Sequence, residues 1–184
     1  FDGAAAPAPL REARSGKVIT SVTLNRLLFR SLRLGFMIVP DPLRERVLES
    51  RSAIDESVNL PNQLVVRRFM EDGGFTPHTR RCRSLHAERR QSLAALLQPY
   101  IGSLFEPEIN SAGLHLVVRP RAVDAAEVAE ALRRNAIACT TLAELSRLPD
   151  PQQGLLLGFA AYSPDVIGAM RPAFESALDG LCRS

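Results

Sequence analysis

Residues 22–35 read Val-Thr-Leu-Asn-Arg-Leu-Leu-Phe-Arg-Ser-Leu-Arg-Leu-Gly, and an apolar or β-branched run lies on each side of this stretch. Residues 17–23 are rich in valine, isoleucine and threonine, and residues 32–39 form a near-continuous apolar run that Pro-Asp-Pro closes at 40–42. Continuous runs of this kind are typical of strands buried on both faces of a helix-covered sheet. We therefore predict two buried strands, at residues 17–23 and 32–39, with a short break between them.

The next part of the sequence is predicted to be helical. Asp-Pro at residues 41–42 suits the N-cap and first turn of a helix that runs to about Ile54. A second helix is predicted at residues 62–70. The longest is predicted at residues 76–97, because an apolar stripe continues there until Pro99 stops it.

After residue 100 the pattern changes to short strands. Residues 104–109 and 114–119 predict a hairpin whose turn is Asn-Ser-Ala-Gly at 110–113. The patterns then predict a helix at 124–135, strands near 137–140 and 155–161, and a final helix at 163–181. This order indicates an α+β lobe.

Composition excludes several classes of protein. The chain has 184 residues, 46% of them apolar, and a net charge of only +3, with acidic and basic residues interleaved. That balance does not require a polyanion partner. The arginine-rich helix around residues 80–90 also contains Glu88, and the chain has two Tyr and no Trp for stacking on bases, so we expect a solvated face or a dimer surface and no direct nucleic-acid binding.

Cysteine usage and hydropathy bear on the compartment. The three cysteines, Cys82, Cys139 and Cys182, are odd in number and widely spaced, which favours the reducing cytoplasm over a disulfide framework. No apolar run approaches the roughly 20 residues of a membrane span, so we expect no membrane partner. Residues 1–10 have neither an initiator Met nor the pattern of a signal peptide, and we expect the chain to be part of something longer.

Short motifs in a fixed order run through nearly the whole chain. They are Phe-Asp-Gly at 1–3, Gly-Lys-Val-Ile at 16–19, Leu-Arg-Leu-Gly-Phe at 32–36, Phe-x3-Gly-x-Phe-x2-His at 69–78, Arg-Arg at 89–90, Ala-Gly-Leu-His-Leu at 112–116 and Leu-Leu-Leu-Gly-Phe-Ala at 155–160. No single motif is specific, but the ordered set resembles the aminotransferase-like domain of MocR-type regulators of the GntR superfamily. It also resembles their relatives, the fold-type-I pyridoxal-phosphate-dependent aminotransferases.

The resemblance implies an α/β fold of the aminotransferase type, with a partial large-domain sheet and a C-terminal α+β small domain. The three predicted regions are an irregular lead-in at 1–16, a remnant of the large cofactor-binding domain with connecting helices at 17–98, and the small domain at 99–184. The resemblance also implies a cofactor site near a dimer interface. We therefore expect a homodimer, or contact with a missing N-terminal half, around Phe29, Arg30 and the helix from Asp41.

The family's cofactor signature reads roughly Gly-Thr-x-Ser-Lys-x-x-x-Pro-x-x-Arg-x-Gly. In the family, the lysine forms a Schiff base with the cofactor, and hydroxyls and the arginine hold its phosphate. Thr23, Arg33 and Gly35 match this pattern. The family's glycine, serine, lysine and proline are replaced here by Val22, Asn25, Arg26 and Arg30.

The replacement at Arg26 removes the covalent chemistry. A Schiff base needs a neutral primary amine, whereas a guanidinium is delocalised and stays charged with a pKa above about 12. Lys17 is the only other side-chain amine, and nine residues of extended chain place it roughly 30 Å away. We therefore predict a pseudoenzyme with no catalytic residue.

The resemblance implies a non-covalent cofactor site at most. Thr23, Arg26 and Arg33 are the candidate residues for pyridoxal phosphate, and an alternative is that no cofactor binds. Arg33 suits a forked hydrogen bond to phosphate, but pairing with a backbone carbonyl or a carboxylate stays open. For Arg26, an ion pair in the emptied site is favoured over anion binding. The aspartate and the stacking aromatic of the family site would precede residue 1.

Other chemistries have no support in the sequence. His78, His86 and His115 lack the spacing of a zinc site and are expected to be structural. Ser163 precedes Pro-Asp and is predicted to cap a helix, and no hydrolase elbow or phosphate loop is present.

Three hypotheses for function remain open. The first is a catalytically inactive aminotransferase-like fragment. The second is the effector-sensing part of a MocR-type transcription regulator, whose DNA-binding part would lie elsewhere. The third is an active aminotransferase, which requires a partner chain that supplies lysine and aspartate.

Overall fold

The loop at residues 24–34 joins two short antiparallel strands. The structure is a computed structural model that describes residues 16–54, 58–106 and 110–183. Strand β1 (Thr20–Thr23) pairs with β2 (Gly35–Ile38), so that Thr20 lies opposite Ile38 and Thr23 opposite Gly35. The predicted pair of strands is present, and each strand is shorter than its apolar run.

The burial predicted for these strands is wrong. Phe36 and Met37 are 51% and 50% exposed. Within the described residues this sheet has two strands only, so no neighbouring strand covers the apolar side chains that the sequence places there.

Three helices follow β2. A 3-10 turn at Asp41–Leu43 leads into α1 (Arg44–Ile54), and α2 (Leu60–Glu71) and α3 (Phe75–Leu97) come next. The Asn59 side chain caps α2 by accepting the N–H of Asn62 at 3.2 Å. Val66 of α2 forms a small buried cluster with Leu24 and Leu32 of the loop.

The chain divides into two compact units between Cys82 and Arg83, within α3. The strands, the loop and α2 belong to the first unit, which we call the N-terminal unit. The region boundaries at residues 16 and 98 stay predictions. They mark changes in the sequence pattern, whereas the division at Cys82 reflects which residues contact each other in space.

The C-terminal unit contains a four-stranded antiparallel sheet in the order β3-β4-β6-β5. Its strands are β3 (Asn110–Ala112), β4 (His115–Val118), β5 (Thr140–Thr141) and β6 (Leu155–Gly158). The helices after β4 are α4 (Ala125–Arg134), α5 (Leu142–Leu145), α6 (Pro164–Ala169) and α7 (Arg171–Leu178). The buried core combines apolar side chains of β4 and β6 with those of α4 and α7.

Two local predictions for this unit are wrong. The hairpin turn is at Gly113 and Leu114, not at 110–113, because Gly113 has the positive φ of 68° that a two-residue turn favours. Residues 102–104 form a turn, Phe105 makes only isolated bridges to Ile101 and Pro120, and 107–109 lie outside the described residues. The predicted final helix is divided at Met170 into α6 and α7. Pro172, in the first turn of α7, has no N–H with which to continue the hydrogen bonds of α6.

None of the helices in the described ranges has the length and apolar content needed to cross a membrane.

Candidate functional site

A cavity of about 490 Å³ lies in the N-terminal unit, and we call it the strand cavity. Its polar side chains are those of Ser21, Thr23, Asn25, Arg33 and Arg51. Apolar side chains of β1, β2 and α1 form the rest of its wall. No carboxylate occurs among its described lining residues, so the cavity combines positive charge with an apolar surface.

Thr23 and Asn25 shape the start of the loop. The Thr23 hydroxyl oxygen accepts the backbone N–H of Asn25 at 3.2 Å. Because that bond uses a lone pair of the oxygen, the hydroxyl hydrogen of Thr23 stays available to donate. Asn25 in turn accepts the N–H of Leu34 through its Oδ1 at 2.9 Å, which closes the loop from side to side.

Arg33 has an uncommon backbone conformation. Its φ of 49° and ψ of 44° place it in the left-handed region, which residues other than glycine rarely adopt. The side chain is exposed, and within the described residues it makes no hydrogen bond or ion pair. Among the described residues, the N–H donors of its guanidinium therefore have no acceptor.

Gly35 explains one of the matches to the family signature. A Cβ on this residue would lie 2.6 Å from the carbonyl oxygen of Val22. Only glycine lets β2 approach β1 this closely beside Thr23 and Arg33.

The structure brings Thr23 and Arg33 to one cavity but leaves Arg26 out. Arg26 is exposed and is not among the residues that line the strand cavity. The ion pair favoured for it from the sequence is absent within the described residues.

Two further residues hold the loop. His78 is expected from the sequence to be structural, whereas no sequence pattern indicates a role for Asn62. Asn62 of α2 donates from Nδ2 to the carbonyl oxygen of Leu32 at 2.7 Å, and His78 of α3 lies with Nε2 2.8 Å from the carbonyl oxygen of Leu27. The Cys82 Sγ is 3.4 Å from the same Nε2. A buried polar residue on a helix looks the same in the sequence whether it contacts a loop or a neighbouring helix.

The C-terminal unit has polar contacts of its own. Arg89 of α3 donates to the carbonyl oxygen of Ala160. Burial, and then the nearby Arg89 guanidinium, lower the pKa of His86. A cavity of about 80 Å³ beside Leu157 and Phe174 has no charged lining residue among those described.

In the described part of the chain, no group of three or more His, Cys, Asp or Glu is arranged to hold a metal ion.

Sequence comparison places the chain beside bacterial regulators. It is 32% identical over 179 residues to the probable rhizopine catabolism regulatory protein MocR of Rhizobium meliloti, which is 95% of this chain and 36% of that protein. It is 26% identical over 121 residues to the mitochondrial kynurenine/alpha-aminoadipate aminotransferase of Bos taurus, which is 64% of this chain and 28% of that enzyme. The chain thus spans about a third of the length of these relatives. No family model matches it.

Solved structures show the same fold. The alpha-aminoadipate aminotransferase LysN of Thermus thermophilus superposes with a TM-score of 0.79 at 18% identity, over 94% of this chain and 44% of that one. The kynurenine aminotransferase of Pyrococcus horikoshii superposes with a TM-score of 0.77 at 19% identity, over 90% of this chain and 42% of that one.

The strand cavity has some of the groups that pyridoxal phosphate would need for binding, but not the group for its covalent attachment. A hydroxyl at Thr23 and a guanidinium at Arg33 that has no partner among the described residues suit a phosphate group, whereas Arg26 offers no amine for a covalent link. The chain has the fold of the fold-type-I pyridoxal-phosphate-dependent aminotransferases, and its homologues include MocR-type regulators and aminotransferases.

Proposed function

We propose that the chain is the C-terminal part of the effector-sensing domain of a MocR-type regulator, and that it binds a phosphate-bearing ligand, pyridoxal phosphate by resemblance, without reacting with it. The observation that carries the proposal is that Thr23 and Arg33 line one cavity with no carboxylate among its described lining residues. The homology to MocR over 95% of the chain supports the regulator class.

The two residues have separate tasks. Arg33 presents a planar fork of N–H donors, which matches the geometry of two phosphate oxygens. The Thr23 hydroxyl adds a third donor from the end of β1. The apolar wall of the cavity, which includes Val22 and Leu34, suits an aromatic ring beside the phosphate.

The same residues predict no transamination. Bound pyridoxal phosphate supplies an electron sink in aminotransferases. Arg26 has no primary amine and therefore cannot act as the Schiff-base nucleophile. A ligand in this site would bind without reacting and would act as an effector. DNA recognition would then depend on a part of the regulator outside this chain.

Binding is tested with pyridoxine phosphate, which has no aldehyde and so measures non-covalent binding only. By isothermal titration calorimetry, we expect Arg33→Ala to weaken binding by about tenfold or more, because a charge-assisted fork contributes roughly 1.5–3 kcal/mol. Arg30→Ala is the matched control, because this neighbouring exposed arginine does not line the cavity. Equal binding by the wild type and Arg33→Ala would overturn the assignment of the site.

Inertness is tested with pyridoxal phosphate and borohydride. We expect no reduced adduct on residues 22–35 by peptide mass mapping, because this stretch contains no lysine. Reaction at Lys17 alone would be adventitious, as with any exposed amine. An adduct within 22–35, or turnover of an amino acid by the isolated chain, would contradict the proposal.

A further inference from the structure

The loop that carries Arg33 is held on both halves by side chains from other elements of the N-terminal unit. Asn62, in the first turn of α2, reaches the carbonyl oxygen of Leu32 at 2.7 Å across 30 positions of sequence. His78, in the first turn of α3, reaches the carbonyl oxygen of Leu27 at 2.8 Å across 51 positions. Both bonds are partly buried, so water competes with them less than at an open surface.

We propose that Asn62 and His78 are positioning residues, which hold the loop so that Arg33 and Thr23 face the same cavity. The ligand part of this inference rests on the proposed phosphate site, whereas the control of the loop conformation does not. Neither residue lines the strand cavity, so each would act through the backbone that it holds.

Asn62 acts on the peptide unit that immediately precedes Arg33. The carbonyl group of Leu32 belongs to the same rigid plane as the N–H of Arg33, so a bond to that oxygen restrains the backbone on the N-terminal side of Arg33. Arg33 needs such a restraint, because its φ of 49° is not one that a residue with a side chain adopts by local preference. Val66, one turn further along α2, is buried in one cluster with Leu32 and fixes the same segment through apolar packing.

His78 acts on the other half of the loop. A carbonyl oxygen can only accept, so Nε2 of His78 must carry the hydrogen, and this contact defines the tautomer. The ring is itself held on two sides: Phe69 of α2 meets it edge to face with centroids 5.9 Å apart, and the Cys82 Sγ lies 3.4 Å from Nε2. A rigid imidazole therefore fixes the peptide unit between Leu27 and Leu28.

The first test uses Asn62→Asp, measured at pH 8. The carboxylate has the shape of the amide but cannot donate, so it removes the bond and places charge against the Leu32 oxygen. An acid in the first turn of a helix is favourable, so α2 itself should not be weakened. We expect at least tenfold weaker binding of pyridoxine phosphate and faster hydrogen exchange at the Leu34 amide. Gln63→Glu makes the same chemical change one residue along the helix and should leave both readouts at the wild-type level.

The second test compares His78→Gln with His78→Asn. A glutamine amide nitrogen can take the place of Nε2, whereas an asparagine reaches only as far as Nδ1. If His78 acts by donating to the Leu27 oxygen, His78→Gln retains at least a third of the wild-type affinity and His78→Asn loses at least tenfold. A residue needed only for packing would not give this order, because both replacements remove the aromatic ring.

The two proposals fail separately. If the wild type does not bind pyridoxine phosphate, the proposed function is wrong, and the exchange rates of the Leu28 and Leu34 amides still decide the positioning role. Unchanged exchange at both amides in Asn62→Asp and His78→Asn overturns the inference even if the ligand binds.

Unchanged exchange across α4 in the C-terminal unit shows that a variant is still folded there. Faster exchange throughout the N-terminal unit, equal in His78→Gln and His78→Asn, would also overturn it, because it would indicate general packing.

Discussion

Asn25 and Leu34 close the loop between β1 and β2, since Oδ1 of Asn25 accepts the backbone N–H of Leu34 at 2.9 Å. Asn25 stands where the family signature has serine. The bond is partly buried and spans nine positions, so it fixes the width of the loop that ends at Arg33. The replacement of serine by Asn25 thus supplies the side-chain oxygen that bonds the Leu34 N–H across the loop.

Asn25→Ala is expected to destabilise the N-terminal unit by about 1–2 kcal/mol, because it leaves the partly buried Leu34 N–H without a partner. Asn25→Asp keeps an acceptor at the same place and should stay within about 0.5 kcal/mol of the wild type. Hydrogen exchange at the Leu34 amide measures the change. Equal protection in the wild type and Asn25→Ala would show that this bond does not hold the loop.

Tyr100→Phe tests the main side-chain bond of the C-terminal unit. The buried Tyr100 hydroxyl donates to Oδ1 of Asp179 at 2.8 Å. Burial, and then this bond, raise the pKa of Tyr100 far above its ordinary value near 10. The stabilisation is therefore present below pH 10 and is lost as the pH rises above it. We expect a loss of about 1–2 kcal/mol at pH 7 by urea unfolding, and a flatter decline above pH 10. Tyr162→Phe, at a half-exposed tyrosine, is the control.

The C-terminal unit should also lose stability in acid through Glu144. The backbone N–H of Thr141, and then the Arg133 guanidinium, hold the pKa of this carboxyl below its ordinary value of 4.5. A lowered pKa stabilises the fold above the ordinary value, and the contribution disappears as the pH falls through the lowered one. Glu144→Gln should therefore reduce the loss of stability between pH 5 and pH 3, to be measured by urea unfolding. Glu88→Gln, at an exposed glutamate, should leave that loss unchanged.

We also predict that the isolated chain associates with itself. Phe29 and Leu48 are both 55% exposed, and Phe36 and Met37 of β2 are half exposed. Apolar side chains and an uncovered strand edge in one unit favour pairing with another chain. Sedimentation velocity should show concentration-dependent association, which Phe29→Ser combined with Leu48→Ser weakens. Leu145→Ser with Leu148→Ser, on the C-terminal unit, is the control. A monomer at high concentration that binds no apolar dye would contradict this prediction.

The sequence by itself determined the order of the elements and the chemical nature of the residue at position 26. Periodicity, helix caps and proline stops are local features, and for that reason α1, α2, α3 and α4 lie close to where the patterns place them. Motif order identified the fold, which the solved structures confirm. The residue at position 26 also needs no structure to interpret, because a guanidinium cannot form a Schiff base in any fold.

Only the tertiary structure decided how the site is held and what is exposed. The bonds from Asn62 and His78 join residues 30 and 51 positions from their partners, and no local pattern encodes such a contact. The left-handed conformation of Arg33 depends on neighbours in space, since arginine has no local preference for it. The exposure of Phe36 was missed for the same reason: an apolar run predicts a strand, but burial depends on whether another element covers it.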